Sequence, residues 1–153
     1  MVIDSSALLA ILLGEAESSR FIADIEADPR RLLCSVHLLE AAIVVEARKG
    51  PPGGRELDLL LHRAQVEIVP FTEELAEAAR AAWRKWGKGN HPAALNYCDC
   101  CAYALAQQLG EPLLYALAHA LRCALPELPM NDAWRASSAR SAGKASSGPP
   151  SPA

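Results

Sequence analysis

The sequence predicts an α/β domain with a parallel or mostly parallel sheet covered by helices on both faces. Short apolar stretches suited to strands alternate along the chain with longer stretches of helical period. Strands separated by helices pair in parallel, and a parallel sheet is buried on both faces. The 153 residues, 51% of them hydrophobic, suffice for one domain with a core that needs no disulfide.

Residues 2–4 open the chain as a short buried strand that stops at an acid, Asp4. Ser5 or Ser6 can cap the helix that follows, because residues 7–13 are continuously apolar and a hydroxyl accepts a first-turn N–H. Gly14 ends that helix. Residues 15–28 form a second, amphipathic helix with Phe21, Ile22 and Ile25 inward, stopped by Pro29. Residues 31–34 are a strand, and Ser35 is an N-cap for a helix running to Lys49. Gly50-Pro51-Pro52-Gly53-Gly54 then breaks the chain.

Leu57, Leu60 and Leu61 give residues 55–64 helical spacing, and residues 66–69 alternate as a strand. Thr72 caps the next helix, whose early Glu74 and Glu77 and late Arg80, Arg84 and Lys85 suit the helix dipole. Residues 87–92 are a loop, a helix runs from about Ala93 to Leu109, and Gly110 ends it. Residues 112–115 supply a further buried strand. Residues 116–125 are apolar and fit either a helix or a strand. From Arg135 onward no apolar period remains. The domain is therefore placed at residues 1–130 and a disordered tail at 131–153.

The formal net charge of −3 excludes a protein that is basic all over, so any nucleic-acid contact must be local. No signal peptide is expected at the N-terminus, and no stretch approaches the roughly 18 apolar residues of a membrane span. Five cysteines, three of them crowded at Cys98, Cys100 and Cys101, read as reduced thiols of a cytoplasmic protein.

Three acids stand where chemistry is expected. Asp4 sits at the carboxyl end of the first strand, where sheets of this kind place their ligands. Glu40 shares a helix face with Val36, Ile43 and Val44. Asp99 has Leu95 four residues before it, Ala102 and Tyr103 after it, and flanks a stripe of Leu95, Cys98, Ala102, Leu105 and Leu109. Partly desolvated carboxylates raise one another's pKa, and a hard divalent ion relieves them. The plainer alternative makes each acid a helix cap or an ion-pair partner.

Residues 83–91, Trp-Arg-Lys-Trp-Gly-Lys-Gly-Asn-His, interleave basic and aromatic side chains just before the Asp99 helix. Lys88, Arg84 and Lys85 can meet phosphates there, and the indoles can stack on unpaired bases. Trp83 as a core residue, with Arg84 and Lys85 completing a helix, is the competing reading. A zinc site from His91 and the three cysteines has poor spacing. Leu38, Leu39, Ile43, Val45 and Leu59 exceed what one helix stripe needs, which leaves some for a dimer or partner surface.

Residues 1–8, residues 35–49 with Leu39-Glu40-Ala41, and residues 87–100 together resemble PIN domains, in particular the VapC toxins of toxin–antitoxin pairs, from residue 1 to about Leu114. The resemblance implies a PIN-like three-layer α/β/α fold with a four- or five-stranded sheet. It implies a toxin that is an endoribonuclease using Mg2+ or Mn2+, an RNA substrate, a cognate VapB-like antitoxin and a homodimer. Asp4, Glu40 and Asp99 match three of the family's four acids, Asp4 and Asp99 as direct metal ligands. Ser6 and Asn96 match its supporting polar residues. The fourth acid has no counterpart: after Tyr115 no acid occurs until Glu127, as a frameshifted or replaced C-terminus would give. A PIN-like module that has lost catalysis but still binds an antitoxin or RNA is the alternative that this departure keeps open, and a nuclease acting on DNA would use the same metal chemistry.

Overall fold

A computed structural model describes residues 1–116. Its elements run β1 (Val2–Ile3), α1 (Ser5–Leu12), α2 (Ser18–Ala27), β2 (Leu32–Cys34), α3 (Ser35–Lys49), α4 (Pro51–Arg63), β3 (Glu67–Val69), α5 (Glu73–Trp86), α6 (Tyr97–Leu109) and β4 (Leu113–Leu114). The four strands form one parallel sheet in the order β3-β2-β1-β4. The end of the domain near residue 130, the tail from 131 and any fourth acid lie outside the described residues.

The pleat divides the core into two halves. Val2, Leu32 and Cys34 point to one face and pack with α5 and α6 through Leu75, Ala79, Cys101 and Leu105. Ile3, Leu33 and Leu114 point to the other and pack with α1 to α4 through Leu8, Phe21, Ala41, Val45 and Leu57. Alternate strand residues thus serve opposite helix layers, which makes the molecule a three-layer α/β/α sandwich. β1 is central and carries Asp4 at its carboxyl end.

Several local expectations need correction. The N-cap of α1 is Asp4, whose carboxylate accepts from Ser6 N, so neither serine caps that helix. A carboxylate accepts two donors at once, and Ser6 supplies both its N–H and its hydroxyl. Ser35 is the first residue of α3 rather than its cap, and its Oγ accepts from Phe71 N at 3.1 Å, which holds the turn after β3. The Pro-Pro-Gly-Gly run does not break the chain for long. Gly50, at φ 66°, makes the turn, and Pro51 to Gly54 form the first turn of α4, where proline needs no donor. Gly53 lies so close to α3 that a Cβ would meet Lys49 Cβ at 2.8 Å and Val45 O at 2.9 Å.

Thr72 caps α5 as expected, accepting from Leu75 N. α6 begins at Tyr97, not at Ala93. Just before it, Leu95 pairs with Gly87 in an isolated parallel bridge. Leu95 is buried there, but it is not a helical neighbour of Asp99.

Candidate active site

The site grows from the end of β1. Asp4 is only 4% exposed. Its Oδ1 accepts from Ser6 N at 2.9 Å and Ser6 Oγ at 2.5 Å. Ser6 Oγ in turn accepts from Ala116 N at 2.9 Å, so the chain after β4 is fastened to the same point. The other oxygen, Oδ2, faces His37 Nε2 at 3.1 Å. Oδ1 has both lone pairs engaged, whereas Oδ2 keeps one open for a further partner.

His37 is fully buried on α3, and its Nε2 also lies 3.0 Å from the Cys98 carbonyl oxygen. Both neighbours are acceptors, so Nε2 carries a proton. Burial opposes a charged imidazole, but the hydrogen bonds and charges of Asp4 and Cys34 overcome it and raise the His37 pKa to about 10. Burial likewise pushes the Asp4 carboxyl upward, and His37 and Ser6 outweigh it, leaving Asp4 below its ordinary value. The two form a buried ion pair at the centre of the site. Nδ1 of His37 has no hydrogen-bond partner, though Cys34 acts on the same ring.

Glu40 follows one turn later on α3, half-buried. Its Oε2 accepts from Ser5 Oγ, and the Cys98 thiol also bonds it. Asp99 is held at the start of α6 by a capping box. Asn96 Oδ1 accepts from Asp99 N at 3.0 Å, and Asp99 Oδ2 accepts from Asn96 N at 2.7 Å. Asn96 thereby fixes the direction of the acid. Burial pushes the Asp99 carboxyl up, the Asn96 N–H opposes, and the charges of Asp4 and Glu40 push it up further.

The three acids predicted from sequence therefore occupy one electrostatic neighbourhood, linked through Ser5, His37 and Cys98. Capping is also real for two of them, Asp4 and Asp99. Among the described residues no three His, Cys, Asp or Glu side chains are drawn together as a ready-made ligand set. The donor chemistry still fits a hard divalent ion: three carboxylates, each with a lone pair to spare, one of them raised first by burial and then by the charges of the other two. Zinc finds no such fit at His91, whose Nδ1 accepts from Ala93 N at 3.0 Å and whose ring meets Trp86 edge to face.

The basic residues divide. Lys88 is exposed in the loop after α5, and Arg84 is exposed in its last turn. Lys85 lies over the Trp86 ring, 4.5 Å from its centroid, in a groove with Tyr103 and Gln107 rather than at the Asp99 turn. Trp83 is not core: it is 48% exposed, and the buried indole of the pair is Trp86, whose Nε1 donates to Tyr103 Oη at 3.2 Å. His37 is the residue sequence reasoning missed. It had one available signal, for it shares a fully buried stripe of α3 with Ala41 and Val45 at four-residue spacing.

Comparison with known proteins identifies the fold and the family. The sequence profile of the PIN domain matches residues 1–117. Over 115 residues the chain is 56% identical to VapC ribonuclease Mb0640 of Mycobacterium bovis and to ribonuclease VapC30 of Mycobacterium tuberculosis, covering 75% of this chain and 88% of each relative. It is 52% identical to ribonuclease VapC of Mycolicibacterium smegmatis, covering 75% of this chain and 89% of that one. The fold is similar to the crystal structure of Mycobacterium tuberculosis VapC20, described as a sarcin–ricin loop cleaving toxin, with a TM-score of 0.63, 17% identity, and 80% of this chain and 92% of that chain covered. It is also similar to a toxin–antitoxin complex from Klebsiella pneumoniae, with a TM-score of 0.60, 16% identity, and 84% and 92% covered. A chain whose first 117 residues match this profile, and whose relatives carry one name at this identity, belongs to the PIN-domain family, among the VapC ribonucleases.

Proposed function

We propose that the chain is the toxin of a toxin–antitoxin pair and an endoribonuclease that hydrolyses RNA phosphodiester bonds with Mg2+ or Mn2+. The observation that carries this is the linkage of Asp4, Glu40 and Asp99 at the carboxyl end of β1: Glu40 is bonded by Ser5, next to Asp4, and by Cys98, next to Asp99, and His37 Nε2 joins Asp4 to the Cys98 carbonyl. The ribonuclease names of relatives at 56% and 52% identity support it.

Asp4, through Oδ2, and Asp99 would hold the ion. A bound divalent ion supplies charge to the phosphate and a water of lowered pKa. Ser6 and His37 keep Asp4 in one orientation, and Asn96 does the same for Asp99. Glu40, held by Ser5, is placed to ligate directly or to orient the attacking water. Lys88 and Arg84 would draw the RNA backbone toward this edge. Lys85 fits that role less well, for it is turned to the other groove.

Leu39 and Ile43 flank Glu40 on α3 and are 62% and 60% exposed. A VapB-like antitoxin that covers them would close the site, and the same apolar surface can serve a homodimer. Among the described residues no helix is long and apolar enough to cross a membrane. The second reading, a module that binds antitoxin or RNA without turnover, is favoured by one observation: residues 115–126 contain no acid.

Cleavage of a labelled single-stranded RNA in magnesium, with the parent chain and with Asp4→Asn and Asp99→Asn, tests the reading. Metal-dependent cleavage lost in both variants supports the enzyme. Cleavage unchanged in Asp4→Asn overturns the site, and RNA binding without cleavage by the parent selects the module.

A further inference from the structure

Between α5 and the first turn of α6 lies an apolar cavity of about 370 Å3, walled by Phe71, Ala79, Arg80, Trp83, Tyr97 and Cys100. That size is at the small end of ligand sites, which run roughly 300–1,000 Å3. Trp83 is 48% exposed and Tyr97 63%, and they are the exposed aromatic rings among the described residues. Both stand on this one cavity. Phe21, Trp86, Tyr103 and Tyr115 are buried, as aromatic rings in a small core should be.

The Trp83 ring is also held in place. It lies on the bare backbone of Gly87, where a Cβ would come within 2.4 Å of Cδ1 and 2.7 Å of Nε1. The Trp83 carbonyl oxygen accepts from Gly87 N at 2.8 Å and from Asn90 Nδ2 at 3.1 Å, which fixes the chain around it. An indole kept rigid with its outer surface in water gains little for the fold and is ready for a flat ligand.

Charge and position say which ligand. Arg80 borders the cavity, and Arg84 follows one turn along the same face of α5. The pairing of Arg80 with Glu77 is long, 3.4 and 3.5 Å, and both groups are exposed, so the guanidinium is open to exchange its partner for a phosphate. On the other wall, Tyr97 and Cys100 bracket Asp99 in the first turn of α6. The cavity thus borders the helix turn that carries Asp99, and its apolar walls offer ring faces in place of hydrogen-bond codes.

We propose that this cavity is a nucleobase subsite, in which one unpaired base of the RNA stacks on Trp83 and Tyr97 while Arg80 meets the adjoining phosphate. The subsite rests on the ribonuclease reading and adds to it: the strand must be single-stranded at the base that enters this cavity, with weak preference among bases.

The test is binding of a fluorescein-labelled single-stranded RNA to the chelator-treated chain, followed by anisotropy, beside an abasic ribose–phosphate chain of the same length. Trp83→Ala and Tyr97→Ala should each weaken RNA binding about fivefold or more. Both should leave the abasic chain's affinity unchanged, and Trp83→Phe should retain most of the RNA affinity. Cooperative melting of each variant shows that it is folded. RNA affinity insensitive to both alanine variants overturns the subsite alone, and so does an equal loss on RNA and on the abasic chain. A folded parent that binds neither chain and cleaves no RNA overturns the ribonuclease reading with it.

Discussion

One buried N–H, on His37 Nε2, lies 3.1 Å from Asp4 Oδ2 and 3.0 Å from the Cys98 carbonyl oxygen, and so ties the end of β1 to the first turn of α6. The acid that the sequence places at the centre of the site is therefore oriented from α3 by a cation. This pair has consequences for stability as well as for chemistry.

In metal-free buffer, stability should depend on pH through both partners. His37 has its folded pKa raised from 6.5 to about 10, so its contribution is fully present below 6.5 and is lost as pH rises toward 10. Asp4 has its pKa lowered from 3.8, so its contribution is present above 3.8 and is lost as pH falls further. Urea midpoints should be highest between these limits and decline on the alkaline side. His37→Leu should flatten that alkaline decline and cost about 3–5 kcal/mol, since it leaves a buried carboxylate without its cation. Parallel pH profiles for the two proteins would show that the pair carries no such weight.

Asp99→Asn should separate metal binding from fold. The amide retains an oxygen for the Asn96 N–H but removes the charge that Asp4 and Glu40 oppose. Without metal, the variant should melt at or above the parent. With manganese at a hundredfold over its Kd, the parent should gain about 2.7 kcal/mol and the variant little. Scanning calorimetry across a manganese titration measures both, and an equal gain in the two proteins would remove Asp99 from the ligand set.

The fold and the site are legible in the sequence to different depths at different residues. Strand and helix alternation gave the layers, because the strands are short and, apart from Glu67 in β3, apolar, and each helix has its own period. Asp4 makes the cap that the sequence offers to Ser5 or Ser6, since a carboxylate at that position satisfies the same first-turn donor. The Glu40 face was only half right: Val36 and Val44 are half-buried, but Ile43 is open to solvent. Leu95 is not the helical neighbour of Asp99 that the spacing suggests, because the helix starts at Tyr97; α6 packs instead on β1 and α3. His37 bonds Asp4 and Cys98 across long separations, and no local spacing encodes such contacts.

Ser6→Ala should destabilise the protein by about 1–3 kcal/mol, because it removes one donor from Asp4 and leaves the Ala116 N–H without its acceptor. Ser6→Thr, which keeps the hydroxyl, should recover most of that loss. Chemical denaturation of the three proteins decides it, and an alanine variant as stable as the parent would mean that solvent replaces both bonds.

Gly53→Ala should cost about 1–3 kcal/mol even though alanine favours helices, because the added methyl meets Lys49 Cβ and the Val45 carbonyl of α3. A variant more stable than the parent in urea would show that α3 and α4 can move apart freely.

The central claim is that Asp4 and Asp99, with Glu40 beside them, hold a divalent metal ion. A crystal soaked in manganese and measured for anomalous scattering tests it most directly. A peak is expected between the Asp4 and Asp99 carboxylates, bonded through Asp4 Oδ2. A well-ordered site with both carboxylates in their places and no peak between them would contradict it.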